Sequence, residues 1–317
     1  MTGPFPDESI SSPVELATFL RNSAENLTPV PSGTRLTKSI RRQIELRRRP
    51  LRIAPEKKPA PPGESDRSDL ESSSDRYARR FAGEVGKEFL RRQGSITMDL
   101  TGEILEESEG VPTVLDVGGG HAQLAPWFLE KGWDVTIFGS DDSCRIRPDR
   151  LLGSDAYTFA TGNLLKLPYK TDSFDMVTAF RLVTHESQWE TLLEELCRVA
   201  RQVVIVDYPD VRGFNALSRV LFHLKKAFEK DTREYAVFNR RKIRTAFEKL
   251  GAKPVTFRPQ FFLPMVFHRI TGSRKLLRLT EGLFESIGLT KLFGSPVIAR
   301  AILSRADSKD RSGPRRP

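Results

Sequence analysis

Apolar residues recur along this chain in two rhythms, and regular patterning begins only near Arg76. Tyr77–Gln93 and Ile96–Glu107 read as helices, with Phe81, Val85 and Phe89, then Leu100 and Ile104, on one side. The rhythm then changes. Thr113–Val117 is a short apolar run that ends in three glycines, the mark of a buried strand entering a tight turn. Leu124–Lys131 is helical and stops at Gly132, and Asp134–Phe138 predicts a second strand. Tyr157–Ala160 predicts a third strand and Phe174–Phe180 a fourth, followed by a helix over Gln188–Ala200. Gln202–Tyr208 is a fifth strand, apolar enough to be covered on both faces as in a parallel sheet.

After Pro209 the spacing of Leu217, Val220, Leu221, Leu224 and Phe228 is helical, and Asn239–Leu250 is a further helix closed by Gly251. Lys253–Phe267 predicts one long strand or a strand pair, interrupted at Pro259 and Pro264. Residues 271–293 are again helical, with Leu276, Leu277, Leu283, Phe284 and Ile287 on the apolar side, and Ser295–Leu303 is the last strand. Strands alternating with helices predict an α/β fold, a doubly wound and mostly parallel sheet.

Composition adds two flanking arms. Residues 1–75 hold few large apolar side chains and many Pro, Ser and Arg, so they cannot bury enough surface to offset their ordering entropy and are expected to be a disordered arm. Two basic stretches stand out in the arms: in 35–58, ten Lys and Arg face only Glu45 and Glu56, offset by acidic residues elsewhere in 1–75, and 305–317 carries five basic residues against two acidic ones. Such arms suit contact with an anionic membrane or with nucleic acid, but they also serve as solvated linkers. Cys144 and Cys197 lack metal-type spacing and suggest a reducing compartment; with no signal-peptide core and no apolar run of membrane-spanning length, the cytoplasm is the expected location.

The glycine turn carries the chemistry. Glycines between a first strand and its helix let backbone N–H groups approach a ligand closely. A dinucleotide loop needs a small residue three places after its second glycine, and here Gln123 follows Gly120, which argues against a nucleotide-dependent oxidoreductase. Asp116-Val117-Gly118-Gly119-Gly120-His121-Ala122 instead resembles motif I of class I S-adenosylmethionine-dependent methyltransferases, with Ala122 replacing the last glycine. Thr161-Gly162-Asn163-Leu164 to Pro168-Tyr169, then Asp172-Ser173-Phe174-Asp175, resembles that family's adenine-side stretch. Over about residues 76–304 the chain is most similar to the ubiquinone/menaquinone-biosynthesis-like (type 11) group.

The resemblance implies a Rossmann-like, seven-stranded sheet whose last strand is antiparallel, with helical cap insertions at about 213–237 and 271–293. It implies S-adenosyl-L-methionine as cofactor. Asp116 would orient the cofactor's amino group, and Gly118, Gly119 and Gly120 would pack against its methionine and ribose. Asn163 would accept from the adenine amino group and Leu164 would offer its backbone N–H. Tyr77 and Arg80 lie on the leading helix that closes over the cofactor in related enzymes, and Phe180 ends strand four beside it. The acid that normally ends strand two is missing: Gly139 stands there, and Asp141, ahead of Asp142, is predicted to swing back to the ribose.

Methyl transfer from a sulfonium needs alignment more than acid–base help. A base is required only for a protonated acceptor, and His185, just past strand four, is the candidate. Arg181 is placed either against an anionic substrate or against Asp207. His223 and His268 sit in apolar settings. Ala179-Phe180-Arg181-Leu182 holds no Asn-Pro-Pro-Tyr type motif, which argues against methylation of nucleic-acid bases and favours a small-molecule substrate, with nucleic acid not expected. Leu and Phe in the caps suggest an apolar or lipid-like acceptor, and their basic faces, with the arm, a peripheral membrane contact. The alternatives are a non-catalytic cofactor-binding scaffold, and an RNA or protein methyltransferase that uses the basic arm.

Overall fold

The computed structural model describes residues 68–106, 110–213 and 236–303, and it begins ahead of the boundary expected at Arg76. A short helix α1 (Leu70–Ser73) and its successor α2 (Asp75–Ala78) precede the long helix α3 (Gly83–Glu106). Asp69, Ser72 and Ser73 are buried, so this end of the expected disordered arm is packed structure. Its anchor is polar, so apolar periodicity does not mark it. The rest of the arm, most of the 213–237 insertion and the tail after Leu303 lie outside the described residues.

The two helices expected over Tyr77–Gln93 and Ile96–Glu107 are replaced by the single helix α3, which starts at Gly83. Gly94 does not break it, because the glycine is there for packing. A Cβ at Gly94 would lie 2.2 Å from the indole ring of Trp127, so the bare backbone lets α3 approach helix α4 (Ala125–Glu130) closely. Gly94→Ala should therefore destabilise the fold by about 1–3 kcal/mol through overpacking, read as a lowered midpoint in urea with the slope unchanged.

The strands are β1 (Thr113–Val117), β2 (Asp134–Gly139), β3 (Thr158–Thr161), β4 (Phe174–Ala179), β5 (Ala200–Tyr208), β6 (Ala252–Pro259) and β7 (Val297–Leu303). They form one sheet in the order β3-β2-β1-β4-β5-β7-β6. β1 to β5 pair in parallel, whereas β7 runs antiparallel to both β5 and β6. This is the Rossmann-like arrangement expected, with its reversal between β1 and β4, where a crevice opens beyond the carboxyl ends of the strands. Every residue of β4 is buried. On one face Leu115, Val177 and Val204 share a core with Leu193, which a helix brings to the sheet, and on the other Val114, Met176 and Ile205 share one with Phe128 of α4.

Helices α5 (Ile146–Leu152), α6 (Trp189–Val199) and α7 (Arg240–Lys249) complete the crossovers. α5 has no counterpart in the sequence reading, because Pro148 and the charged residues around it mask its periodicity. Residues 253–267 differ as well: β6 ends at Pro259, and Met265–Thr271 is helix α8, not strand. The proline pair marks the change of element. Helices α9 (Arg274–Ser286) and α10 (Leu289–Phe293) are separated by Gly288, whose φ of +79° breaks the expected continuous helix. Of the apolar stripe expected there, Leu277 is buried, while Leu276, Leu283 and Ile287 face outward.

Candidate active site

β1 delivers Asp116 to the crevice, and Gly118 turns the chain with φ +69°, a left-handed conformation costly for any residue with a side chain. Gly118 N–H donates to the Phe138 carbonyl at 2.8 Å, tying the loop to β2. Gly119–His121 forms a single tight turn. Ala122, where the motif normally carries its last glycine, adopts φ +56°, which explains the usual preference for glycine.

The Asp116 carboxyl is buried. Its Oδ1 accepts from the Thr178 hydroxyl at 2.7 Å on neighbouring β4, and its Oδ2 is buried without a partner. Burial pushes this acid up to about 7, against the opposing effect of the Thr178 hydrogen bond. A Cβ at Gly119 would lie 2.3 Å from that unpartnered oxygen. The glycine therefore keeps a carboxylate edge bare, at a cost that only a cationic or hydrogen-bonding ligand would offset.

At the end of β2, a Cβ on Gly139 would stand 2.7 Å from the Cβ of Cys144. The usual acid is thus excluded by packing. Asp141 does not turn back toward β2 either: its Oδ1 accepts from Ser143 N–H at 2.9 Å and caps the turn Asp142–Arg145. The carboxylate at this place comes from outside the expected domain. Asp69 is fully buried, takes the Ser140 N–H at 3.0 Å and the Ser140 hydroxyl, and meets Cys144 Sγ at 3.4 Å.

Asn163 Oδ1 accepts from Leu165 N–H at 2.7 Å within its own turn, Leu164 is fully buried, and Gly162 N–H bonds to the Gly139 carbonyl at 3.0 Å. Phe180 points into the core with Met176 and Ile205 and so serves packing. The glycine loop, Asp116 and Asn163–Leu164 therefore gather at one end of the sheet. Asp141 and Phe180 stand beside them with their side chains engaged elsewhere.

Next to the loop is a cavity of about 240 Å³, lined by residues that include Tyr77, Phe81, Arg181, His185, Asp207 and Arg269. Arg181 is mostly buried and has φ +59°. Its backbone N–H donates to Asp207 Oδ1 at 2.5 Å, and its guanidinium lies 3.9 Å from the Phe81 ring centroid and 5.4 Å from that of Tyr77. The other Asp207 oxygen accepts from Gln93 Nε2 at 3.2 Å, and burial raises this acid to about 6 despite nearby Arg181. The expected Arg181–Asp207 pairing is thus made through the Arg181 backbone.

His121 was not singled out by spacing, although it directly follows the glycines. Its ring packs edge-on against Phe81 at 5.4 Å and Tyr77 at 6.0 Å, with both nitrogens buried and unpartnered. Burial, reinforced by Arg181 and Arg147, pushes it down to about 2 and keeps it neutral. The sequence signal was simply its place in the loop. His268 is buried against Glu281 at 2.8 Å.

Residues 115–205 match the family model described as a methyltransferase domain. The match spans the glycine loop, Asn163–Leu164 and β4 with Arg181 just beyond its end. The sheet around that match has the Rossmann-like methyltransferase fold. Two relatives from Arabidopsis thaliana, the probable methyltransferases PMT7 and PMT6, are 32% identical over 120 and 122 residues, covering 36% of this chain and 19% of each relative. The chain thus spans about a fifth of the length of the curated relatives it matches. Magnesium protoporphyrin IX methyltransferase of Synechocystis PCC 6803, solved with bound S-adenosylhomocysteine, is 14% identical, with a TM-score of 0.51 over 76% of this chain and 98% of its own. That likeness is one of fold.

Proposed function

We propose that this methyltransferase domain binds S-adenosylmethionine at the Asp116–Gly120 loop and transfers its methyl group to a small molecule in the adjoining cavity. The observation that carries the reading is the bare, buried Asp116 Oδ2 held against the glycine loop. A carboxylate there suits the cofactor's ammonium group, and the chemistry of the loop fits the cofactor in that respect. When bound, the cofactor supplies a methyl group activated on a cationic sulfur. The chain's own part is placement: the Gly118–Gly120 backbone allows close approach, and the end of β4 sets the acceptor beside it. His185 stands at the cavity wall, where it would take the proton from a hydroxyl acceptor.

The lining does not favour a purely lipid-like acceptor, because arginines share it with the aromatic rings. Among the described residues no helix is long and apolar enough to cross a membrane. Peripheral contact is supported by the outer surface of α8 to α10, where Val266, Phe267, Ile270, Leu279 and Leu292 are exposed among Arg274, Lys275 and Lys291. Co-sedimentation with phosphatidylserine vesicles, but not with phosphatidylcholine alone, is the expected result. A reducing compartment such as the cytoplasm suits the two free, buried thiols.

Calorimetry tests the central reading. The full chain should bind S-adenosylmethionine and S-adenosylhomocysteine, and Asp116→Ala should weaken both at least tenfold while the protein stays folded by circular dichroism. Absence of binding in the unaltered chain would leave a non-catalytic scaffold. Labelled methyl transfer into polar extract, lipid extract and RNA, followed by mass spectrometry, then separates the acceptor classes.

A further inference from the structure

Three guanidinium groups line the cavity beside the glycine loop, those of Arg80, Arg181 and Arg269. They share aromatic faces: Arg80 lies 4.8 Å from the Tyr77 ring centroid, Arg181 contacts Tyr77 and Phe81, and Arg269 stands 5.9 Å from Phe81 and from Phe89. Their positive charge is poorly matched. Asp207 is the one carboxylate in the lining, and the Arg181 backbone and Gln93 already occupy its oxygens. Glu71 stands 3.9 Å from Arg80 in an open pair, a geometry that contributes little. One terminal nitrogen of Arg181 is buried with no acceptor. Burial first, then Arg80 and, more weakly, Arg181, make the protonated form of Arg269 harder to hold. Like charges gathered around aromatic rings are costly until an anion enters.

We propose that this cavity binds the anionic group, carboxylate or phosphate, of a methyl acceptor whose flat apolar body stacks against Tyr77, Phe81 and Phe89. Arg181 and Arg269 hold the anion, Arg80 screens it at the mouth, and Asp207 fixes Arg181 through its backbone. The ligand's role as acceptor rests on the methyl-transfer reading, whereas its charge does not.

The probes are benzoate and inorganic phosphate, with benzyl alcohol as the neutral control. They are titrated into the full chain by calorimetry, with and without saturating S-adenosylhomocysteine. Both anions should bind and benzyl alcohol should not, and a stronger response to benzoate than to phosphate would assign a carboxylate source. Arg269→Ala and Arg80→Ala, both at solvent-reachable positions, should each weaken benzoate binding at least fivefold with melting curves unchanged. The proposal falls if neither anion binds, if benzyl alcohol binds as well as benzoate, or if the variants bind like the parent. It also falls if S-adenosylhomocysteine displaces benzoate, since the arginines would then serve the cofactor's own carboxylate. If benzoate binds and S-adenosylhomocysteine does not, the anion site stands and the methyl-transfer reading fails.

A separate observation concerns the segment that covers the loop. A Cβ at Gly120 would lie 2.2 Å from Ser73 Oγ, and one at Gly118 would lie 3.4 Å from Asp69 Cβ. Ser68 Oγ donates to Glu186 Oε2 at 3.1 Å, so the segment is fastened both beyond β4, at Glu186, and beyond β2, at Ser140. The geometry points to Ser68–Ser74 as a built-in occupant that any ligand of the glycine loop must displace. A competing closed state lowers apparent affinity by the fraction of open molecules. Asp69→Ala in the full chain should therefore tighten S-adenosylhomocysteine binding about tenfold, and the ligand should speed hydrogen exchange at the Ser73 amide, now bonded to the Asp69 carbonyl at 2.9 Å. Weaker or unchanged binding, or slower exchange at Ser73, would overturn this and make Asp69 a cofactor ligand or a bystander.

Discussion

Replacing Asp116 with asparagine raises the melting temperature at pH 8, leaves it unchanged near pH 4, and removes most of the S-adenosylmethionine affinity. The reasoning starts from burial. An acid raised from an ordinary value of 3.8 to about 7 stays protonated in the folded chain over a range where the unfolded chain has lost the proton. The folded state then binds more protons, so stability is fully present below about 4 and falls as the pH rises toward 7, by up to about 4 kcal/mol. Above that range the penalty is constant. Asparagine keeps the hydrogen bond with Thr178 and carries no buried charge, so it removes the penalty. The same substitution removes the carboxylate proposed to pair with the cofactor's ammonium group, which is why stability and binding are expected to move in opposite directions. In the unaltered protein, binding should weaken about tenfold for each pH unit below 7, because the carboxyl must ionise to pair. Thermal melts and calorimetry across pH 4–8 check both halves; equal melting points of the two proteins at pH 8 would show that Asp116 is not a buried burden.

The second large effect lies far from the loop. Asp175→Ala should cost about 2–4 kcal/mol, since it leaves the N–H and hydroxyl of Thr113 without their acceptor at the start of β1. The Asp175 carboxylate accepts from Thr113 N–H at 2.9 Å and from its hydroxyl at 2.8 Å, pairs with Arg201 at 2.5 Å, and takes Gln202 Nε2 at 3.3 Å. One side chain therefore ties together the starts of β1, β4 and β5. For a domain of this size the loss corresponds to a melting point lower by roughly 10 °C. Asp175→Asn, which keeps an acceptor, should lose less. Cofactor affinity of the folded fraction should not change, because the cluster sits at the amino ends of the strands, opposite the crevice. Half of the motif read as adenine-side chemistry is in this sense a structural clasp.

The sheet was largely legible because fully buried strands write themselves as unbroken apolar runs, as in Val203–Val206, and because Gly118 needs a left-handed backbone that few residues tolerate. α5 and α8 were not legible. Pro148 and three charged residues interrupt the apolar spacing of the first, and the prolines ahead of the second read as interruptions of a strand. The outward turn of Leu276, Leu283 and Ile287 was hidden as well, since spacing defines a stripe and not what lies opposite it.

The chain by itself determined the order of the strands and the glycine turn, because each depends on residues close together along the backbone. Tertiary structure alone decided the rest. It brought Asp69 onto Ser140 across 71 positions and filled the space beside Gly139 with Cys144. It also gathered Arg80, Arg181 and Arg269 around shared rings. The physical reason is the same in all three cases. Burial, charge repulsion and close approach depend on which distant segments meet, and no local pattern of side chains records that.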